Sequence, residues 1–549
     1  METVFTKLSN NKDTRNVDIN TIIQSMIKKL LTLPLLLWMV MACDSNENEQ
    51  TSLPDDTSEE LPEIPIVGFE ANLEVATTLN ISIPENSNIE RTSVLVNEDE
   101  LLSTTNKTFS FDLNPFDYPT GQNTLSLVFS DTDGNESRQS KTFEVNKLLV
   151  SIASARVFSS RQAFFSVNTL QGELIAFANV TKEVENINLY ANDGFVEQPI
   201  VVTSYIINSG EFYQVDVHSI SDLEPGTDLI ALQRAAGITT EDTFDGSPLI
   251  TPFTIDVFDL DTEEQGESLF AVGHNHIVEA NSTTPGTGGF TSQLRFISNN
   301  EPIRDVVLYT SQSGTVAVDN QFNIEDYRYR LIPNPTDQSL SFTEFETASN
   351  TVTFNIPDNT ENYTFRVFGF LNQTALANNE YRYVYDSNSG NTSSQIQFPV
   401  IPEYTILRND LRISLNGGNT SFKASTLGEK DIALPNWSAS LSGDVIALSG
   451  DFDKFTTSFS RSSTGGVFNW KYTTEQKENF ELPFDDFELP SELLTFATAN
   501  NLDLSAINST ENFRIALFDS SKEVTYAELL FHPFTYHLLD DVYELSFGL

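Results

Sequence analysis

Residues 121–145 read GQNTLSLVFSDTDGNESRQSKTFEV. Apolar and polar residues alternate from Thr124 to Phe129 and again from Thr142 to Val145. That period of two belongs to half-buried β-strands. Between the runs stands Asp131-Thr-Asp-Gly-Asn135, whose Asp, Gly and Asn suit tight turns without help from neighbours. The stretch therefore reads as an antiparallel hairpin. The same alternation holds upstream at Leu79-Asn-Ile-Ser-Ile83 and Phe109-Ser-Phe-Asp-Leu113. Four such strands predict a compact β-sandwich over residues 64–147.

The pattern continues to the C-terminus. Tyr363–Phe368, Tyr381–Tyr385, Leu411–Leu415, Phe468–Tyr472 and Val542–Phe547 all alternate with period two, as antiparallel sheets with one wet face do. Helical periodicity is short: one run opens at Pro490-Ser491 and ends near Asn500, and another spans Asp228–Ala236 before Gly237. Val184–Tyr190 and Ile303–Tyr309 echo each other 119 residues apart. The expected fold is all-β: tandem antiparallel, Ig-like β-sandwich domains behind a lipidated, disordered acidic tether. After residue 147 the expected domains are β-rich and cover 148–266, 267–402 and 403–549.

The run from Ser93 to Val145 resembles bacterial Ig-like domains of cell-surface proteins. VLVNEDELL, TFSFDL, the Gly121-Gln-Asn-Thr-Leu-Ser-Leu strand entry, the D-x-x-G-N hairpin and TFEV carry the likeness. It implies a fold and a spacer role, since ligand sites are grafted onto such domains case by case.

Met26 to Cys43 reads MIKKLLTLPLLLWMVMAC. Two lysines precede an apolar run from Leu30 to Met41, which at ~1.5 Å per residue is too short for a ~30 Å hydrocarbon core. It fits a secretory signal. Val40-Met41-Ala42-Cys43 resembles a bacterial lipobox, in which cleavage before the Cys follows its acylation. Residues 26–42 are thus expected to be a lipoprotein signal peptide, residues 1–25 a misassigned start or extended n-region, and Cys43 the lipidated residue. Cys43 is the sole cysteine, so disulfides, thiol nucleophiles and Cys-held zinc are excluded and lipid attachment accounts for it. Asp44–Glu63 holds eight acidic residues, no basic ones and two prolines, the composition of a disordered tether. Acidic residues after the lipidated Cys resemble the surface-export signal of Bacteroidota-type lipoproteins. Elsewhere among Gram-negative bacteria, Asp there is linked to inner-membrane retention. The expected place is the outer membrane, lipid-anchored, at the cell surface.

The chain has 78 acidic and 30 basic residues, a formal charge of −48. Cleavage at Cys43 would remove five basic and three acidic residues and leave −50. Nucleic acid is excluded as a partner, because phosphate contacts need clustered Lys and Arg.

Candidate sites are few. Tyr381, Tyr383 and Tyr385 are spaced to share one strand face, and Trp437 and Trp470 are the only tryptophans after Cys43. These five form the expected ligand-binding set, since aromatic faces stack on sugar rings. Asp131, Asp133 and Glu136 offer alternating turn oxygens, and His274 and His276 sit two apart on a strand; both are candidate metal ligands, with Ca²⁺ the one cofactor the oxygen set admits. The acidic run from Asp256 to Glu267 is an oxygen set of the same kind. There is no G-x-S-x-G, H-E-x-x-H or P-loop motif, so no catalytic residue is nominated. The expected function is non-catalytic binding of an extracellular glycan or other nutrient, or of a protein ligand, for an outer-membrane transporter. An adhesin or structural envelope protein is the alternative, and a surface glycan hydrolase the second alternative.

Overall fold

The computed structural model describes residues 63–549 apart from 154–160, 181–185, 209–212, 230–249, 261–268, 287, 299–302, 311–326, 349, 359, 390–394, 416–417, 444, 464–465, 482–486, 503, 505–512, 523–524 and 531–539. The expected signal peptide, Cys43, the tether and most of the run from Asp228 lie outside the described residues. Glu63–Leu549 forms one compact unit.

The chain is all-β. Residues 64–147 form a sandwich of two sheets, three strands facing five. Alternate residues of Thr77–Ser82 (Leu79, Ile81) meet Val94, Leu125, Leu127 and Phe143 of the other sheet in one core. The hairpin lies where the sequence puts it. Gly121–Asp131 and Glu136–Val145 pair antiparallel, and Gly134 takes the left-handed φ of +82° that the turn requires.

Residues beyond 148 assemble around a twelve-stranded sheet. One end is built from strands between Arg161 and Leu223, the middle from strands between Lys454 and Gly548, and the other end from Asn362–Phe370, Arg382–Ser389, Ile406–Leu415 and Thr420–Leu427. Strand pairing crosses residue 402, because Asn362–Phe370 pairs with Ile406–Leu415. It also joins the 148–266 segment to the 403–549 segment, where Tyr213–Leu223 runs parallel to Gly466–Glu475. Smaller sheets cover one face of the large sheet. Phe354 and Phe398 of the two-stranded sheet pack on Phe365, Val367 and Leu411. Phe480, Ile446 and the helix Ser491–Ala499 pack on Phe455, Trp470 and Leu517. Pro490 caps the start of that helix, where the sequence predicts it to open. The opposite face is polar at the Asn362–Leu427 end, whereas at the Arg161–Leu223 end Ala163, Val167, Ile200 and Val202 face a further core with Leu149, Val150 and Ile187.

Candidate functional site

The site is built from the alternation of four strands at one end of the large sheet. In Asn362–Phe370, Tyr363, Phe365 and Val367 are buried, which turns Thr364, Arg366 and Phe368 outward. Register then fixes their neighbours: Phe368 lies opposite Tyr383 on one side and Arg408 on the other, and Arg366 opposite Asp386 and Asp410. Tyr381 and Tyr383 stack with centroids 5.6 Å apart and planes 23° from parallel. Phe368 abuts both edge-on, at 5.3 and 4.6 Å. All three rings are half-buried. The Arg366 guanidinium stands 5.8 Å over the Tyr383 ring and pairs with Asp386 at 3.6 Å. Burial raises the Asp386 carboxyl, against the pull of Arg366. It raises Asp410 as well, against a hydrogen bond from Ser425. Burial also raises the Tyr381 and Tyr383 hydroxyls. Two aromatic faces, a guanidinium and two carboxylates therefore share one surface, a set that can stack on an apolar ring face and exchange hydrogen bonds with hydroxyls around it.

Tyr385 does not join this row. Val367 pairs with Tyr385 but Phe368 pairs with Tyr383, so Val384 is the extra residue of a β-bulge. A bulge reverses the facing of the residues beyond it. Tyr385 is 4% exposed and packs with Phe365 and Phe398 in the core. The Val384 carbonyl, released from the ladder, accepts from the Tyr327 hydroxyl.

Trp470 is corrected too. It is 1% exposed, its Nε1 donates to Ser219 Oγ at 2.9 Å, and it braces the parallel junction from inside. Trp437 is half-buried between two cores, against Phe452 and over Gly450.

The metal candidates do different work. Asp131 Oδ1 accepts from the backbone N–H groups of Asp133 and Asn135 at 2.9 and 2.8 Å, and Oδ2 from Asn135 Nδ2 at 2.9 Å. Those bonds, the Asn135 side chain first, lower its pKa. Its oxygens close the hairpin, while Asp133 and Glu136 point into solvent. His274 Nδ1 lies 2.9 Å from Arg382 Nη1, a fixed cation where a metal would need to be. His276 is 2% exposed and bonds Asn275 through Nδ1 at 3.1 Å. Burial, then Arg382 and His274, push it down to about 3. No group of three His, Cys, Asp or Glu side chains able to hold a metal occurs among the described residues.

Arg382 was not anticipated as an anchor. Its side chain lies between Tyr381 and Tyr383 on the inner face and pairs with Asp305 at 2.7 Å. The edge beside it is closed by Tyr383 N–H donating to Val272 O at 2.9 Å and His274 N–H donating to Tyr381 O at 3.1 Å. The aromatic pair thus stands on a fixed support.

A second feature is a cleft of about 620 Å³ beside Asn350–Asn355. Asn350, Thr351, Val352, Thr353 and Phe354 all line it. Successive side chains alternate in direction, so five in a row meet one cavity only along the strand's edge. The opposite edge pairs with Gln395–Val400.

No family model matches the chain, and no curated protein does. Among solved structures, the fibronectin(III)-like modules of Clostridium thermocellum CbhA align at 12% identity over 29% of this chain and 93% of theirs, with a TM-score of 0.14. A Bacteroides ovatus mixed-linkage glucan utilization locus protein, SGBP-B, in complex with a mixed-linkage heptasaccharide, aligns at 10% over 65% and 92%, with a TM-score of 0.13. A Ca²⁺-stabilized adhesin of an Antarctic bacterium that binds ice aligns at 10% over 66% and 95%, with a TM-score of 0.12. Likenesses this slight bear on neither ligand nor function.

Proposed function

We propose that this chain is a lipid-anchored protein of the outer membrane, displayed at the cell surface, that binds a glycan for an uptake system without catalysing a reaction. The anchor rests on the sequence of residues 26–43 alone. No helix of the described residues is long and apolar enough to cross a membrane. Glycan binding rests on one observation: Tyr381 and Tyr383 stack half-exposed on the outer sheet face, with Arg366, Asp386 and Asp410 beside them. A sugar offers an apolar ring face to the aromatics and hydroxyls to the charged groups.

Affinity electrophoresis of the full-length chain through a polysaccharide panel, with and without Ca²⁺, tests this. Retardation by one polymer is expected. Tyr383→Ala should weaken it about tenfold, for an aromatic contact of ~1.4 kcal/mol. Mobility unchanged across the panel, or retardation unaffected by Tyr383→Ala and Tyr381→Ala together, overturns the proposal. The cleft along Asn350–Asn355 favours a second reading, adhesion to a protein partner whose extended segment pairs with that edge. A Pro at position 353, which removes a backbone donor, would abolish such pairing and leave polysaccharide retardation intact.

A further inference from the structure

We infer that the ligand of the Tyr381–Tyr383 face is an anionic polysaccharide carrying carboxylate or sulfate groups, an inference that rests on the glycan-binding proposal above. In the whole chain acidic residues outnumber basic ones by 78 to 30. On this face cations gather beside the acids. Arg366, Arg412 and Lys423 share the surface through the register of three adjacent strands, with Arg408 buried between them, and Lys471 lies near enough to couple to Lys423.

The acidic residues of the face are occupied. Asp386 pairs with Arg366 at 3.6 Å, Glu544 accepts from Lys423 at 2.7 Å, and Asp410 accepts from Ser425. Arg412 is exposed and forms no ion pair among the described residues.

Arg412 lies directly opposite Lys423 across the antiparallel ladder. Like charges in that relation oppose pairing. A fold with 48 surplus carboxylates has no shortage of acidic residues for either place, yet among the described residues Glu544 pairs with Lys423 alone. An anionic ligand uses both cations together. Arg366, Arg412 and Lys423 stand on successive strands, about 4.8 Å apart, so their line crosses the sheet toward the aromatic pair. A polymer laid along that line meets rings at one end and cations at the other. The distant acidic surface does not cancel this attraction, because charges more than ~8 Å away are screened at physiological ionic strength.

Calorimetric titration of the full-length chain with polygalacturonate, chondroitin sulfate and a neutral β-glucan, at 50 and 500 mM NaCl, tests the inference. An anionic polymer should bind best and lose about tenfold affinity at the higher salt. Arg412→Gln should weaken that binding about fivefold, as loss of one exposed charge contact does, and Arg412→Glu should abolish it. Affinity for a neutral polymer should change in neither variant. Arg412 is exposed, and matching thermal melts would confirm that both variants fold. Binding of the neutral glucan alone overturns this inference and leaves the glycan proposal standing. Binding of no polymer overturns both. Anionic binding that survives Arg412→Glu also overturns the inference, since the cations named here would not carry it.

Discussion

Asp305→Asn should loosen the support under the aromatic pair while leaving its shape unchanged. Asp305 Oδ1 accepts from Arg382 Nη2 at 2.7 Å, the Asp305 carbonyl from Nε at 3.1 Å, and Oδ2 from the Tyr404 hydroxyl at 3.4 Å. The Arg382 and Asp305 side chains are 4% and 12% exposed, respectively. Removing one charge of a buried pair strands the other and costs about 3–5 kcal/mol. Arg382 would keep its bonds to the Asp305 and Tyr381 carbonyls, so the lower end, about 3 kcal/mol, is expected. Several cores build this chain, so a local readout isolates this cost more sharply than a global midpoint does. Amide exchange in Asp305–Thr310 and Arg382–Ser389 reads the local cost directly. Protection there should fall by about 3 kcal/mol, and the double variant Asp305→Leu/Arg382→Met should recover most of it, because an apolar pair needs no compensation. Glycan affinity should fall in the single variant, since Tyr381 and Tyr383 flank Arg382 in sequence. A cost under about 1 kcal/mol for Asp305→Asn would refute the idea that this ion pair fixes the platform.

Other expectations concern pH and packing. Burial holds His276 at about 3, so the folded chain stays neutral there while the unfolded chain takes up a proton near 6.5. Stability is therefore lost as pH falls from 6.5 toward 3, by at most ~1.4 kcal/mol per unit; urea midpoints at pH 7 and 4.5 should lie closer together in His276→Phe. Asp519 is pushed up to about 6 by burial, then by Asp453 and Asp451. Its folded form holds a proton more tightly than the unfolded one, so Asp519→Asn should stabilise the chain at pH 7 by up to ~1 kcal/mol, allowing for partial exposure, and do nothing at pH 4. Thermal melts at the two values decide it. A Cβ at Gly450 would fall 2.3 Å from Trp437 Cδ1, at a φ of +127°. Gly450→Ala should cost about 2–3 kcal/mol, with a shift in Trp437 emission as the second readout.

Local features of this fold were legible because local forces make them. The Asp131–Asn135 turn, the strands and the Pro490 helix start are each decided within a few residues, where alternation and turn chemistry act. Tyr385 was misread because period-two counting assumes an unbroken strand, and the single extra residue Val384 leaves no mark in composition. Trp470 looked available because nothing in its neighbourhood betrays a partner 251 residues away at Ser219. The tie between Arg382 and Asp305, 77 residues apart, is hidden for the same reason. That Tyr381 and Tyr383 share a strand face could be read from their spacing, but the cations beside them come together only through register between strands that sequence does not pair.

The parallel junction between Tyr213–Leu223 and Gly466–Glu475 also sets an order of events during biogenesis. An N-terminal part made first holds a finished ladder up to Tyr213–Leu223, yet that strand's outer edge must wait for residues made some 250 positions later. Until then it is a naked β-edge, open to pairing with another copy. Contacts so distant in sequence also form slowly. A chain built this way is exposed to mispairing along that one edge until the strand Gly466–Glu475 is made and docks there.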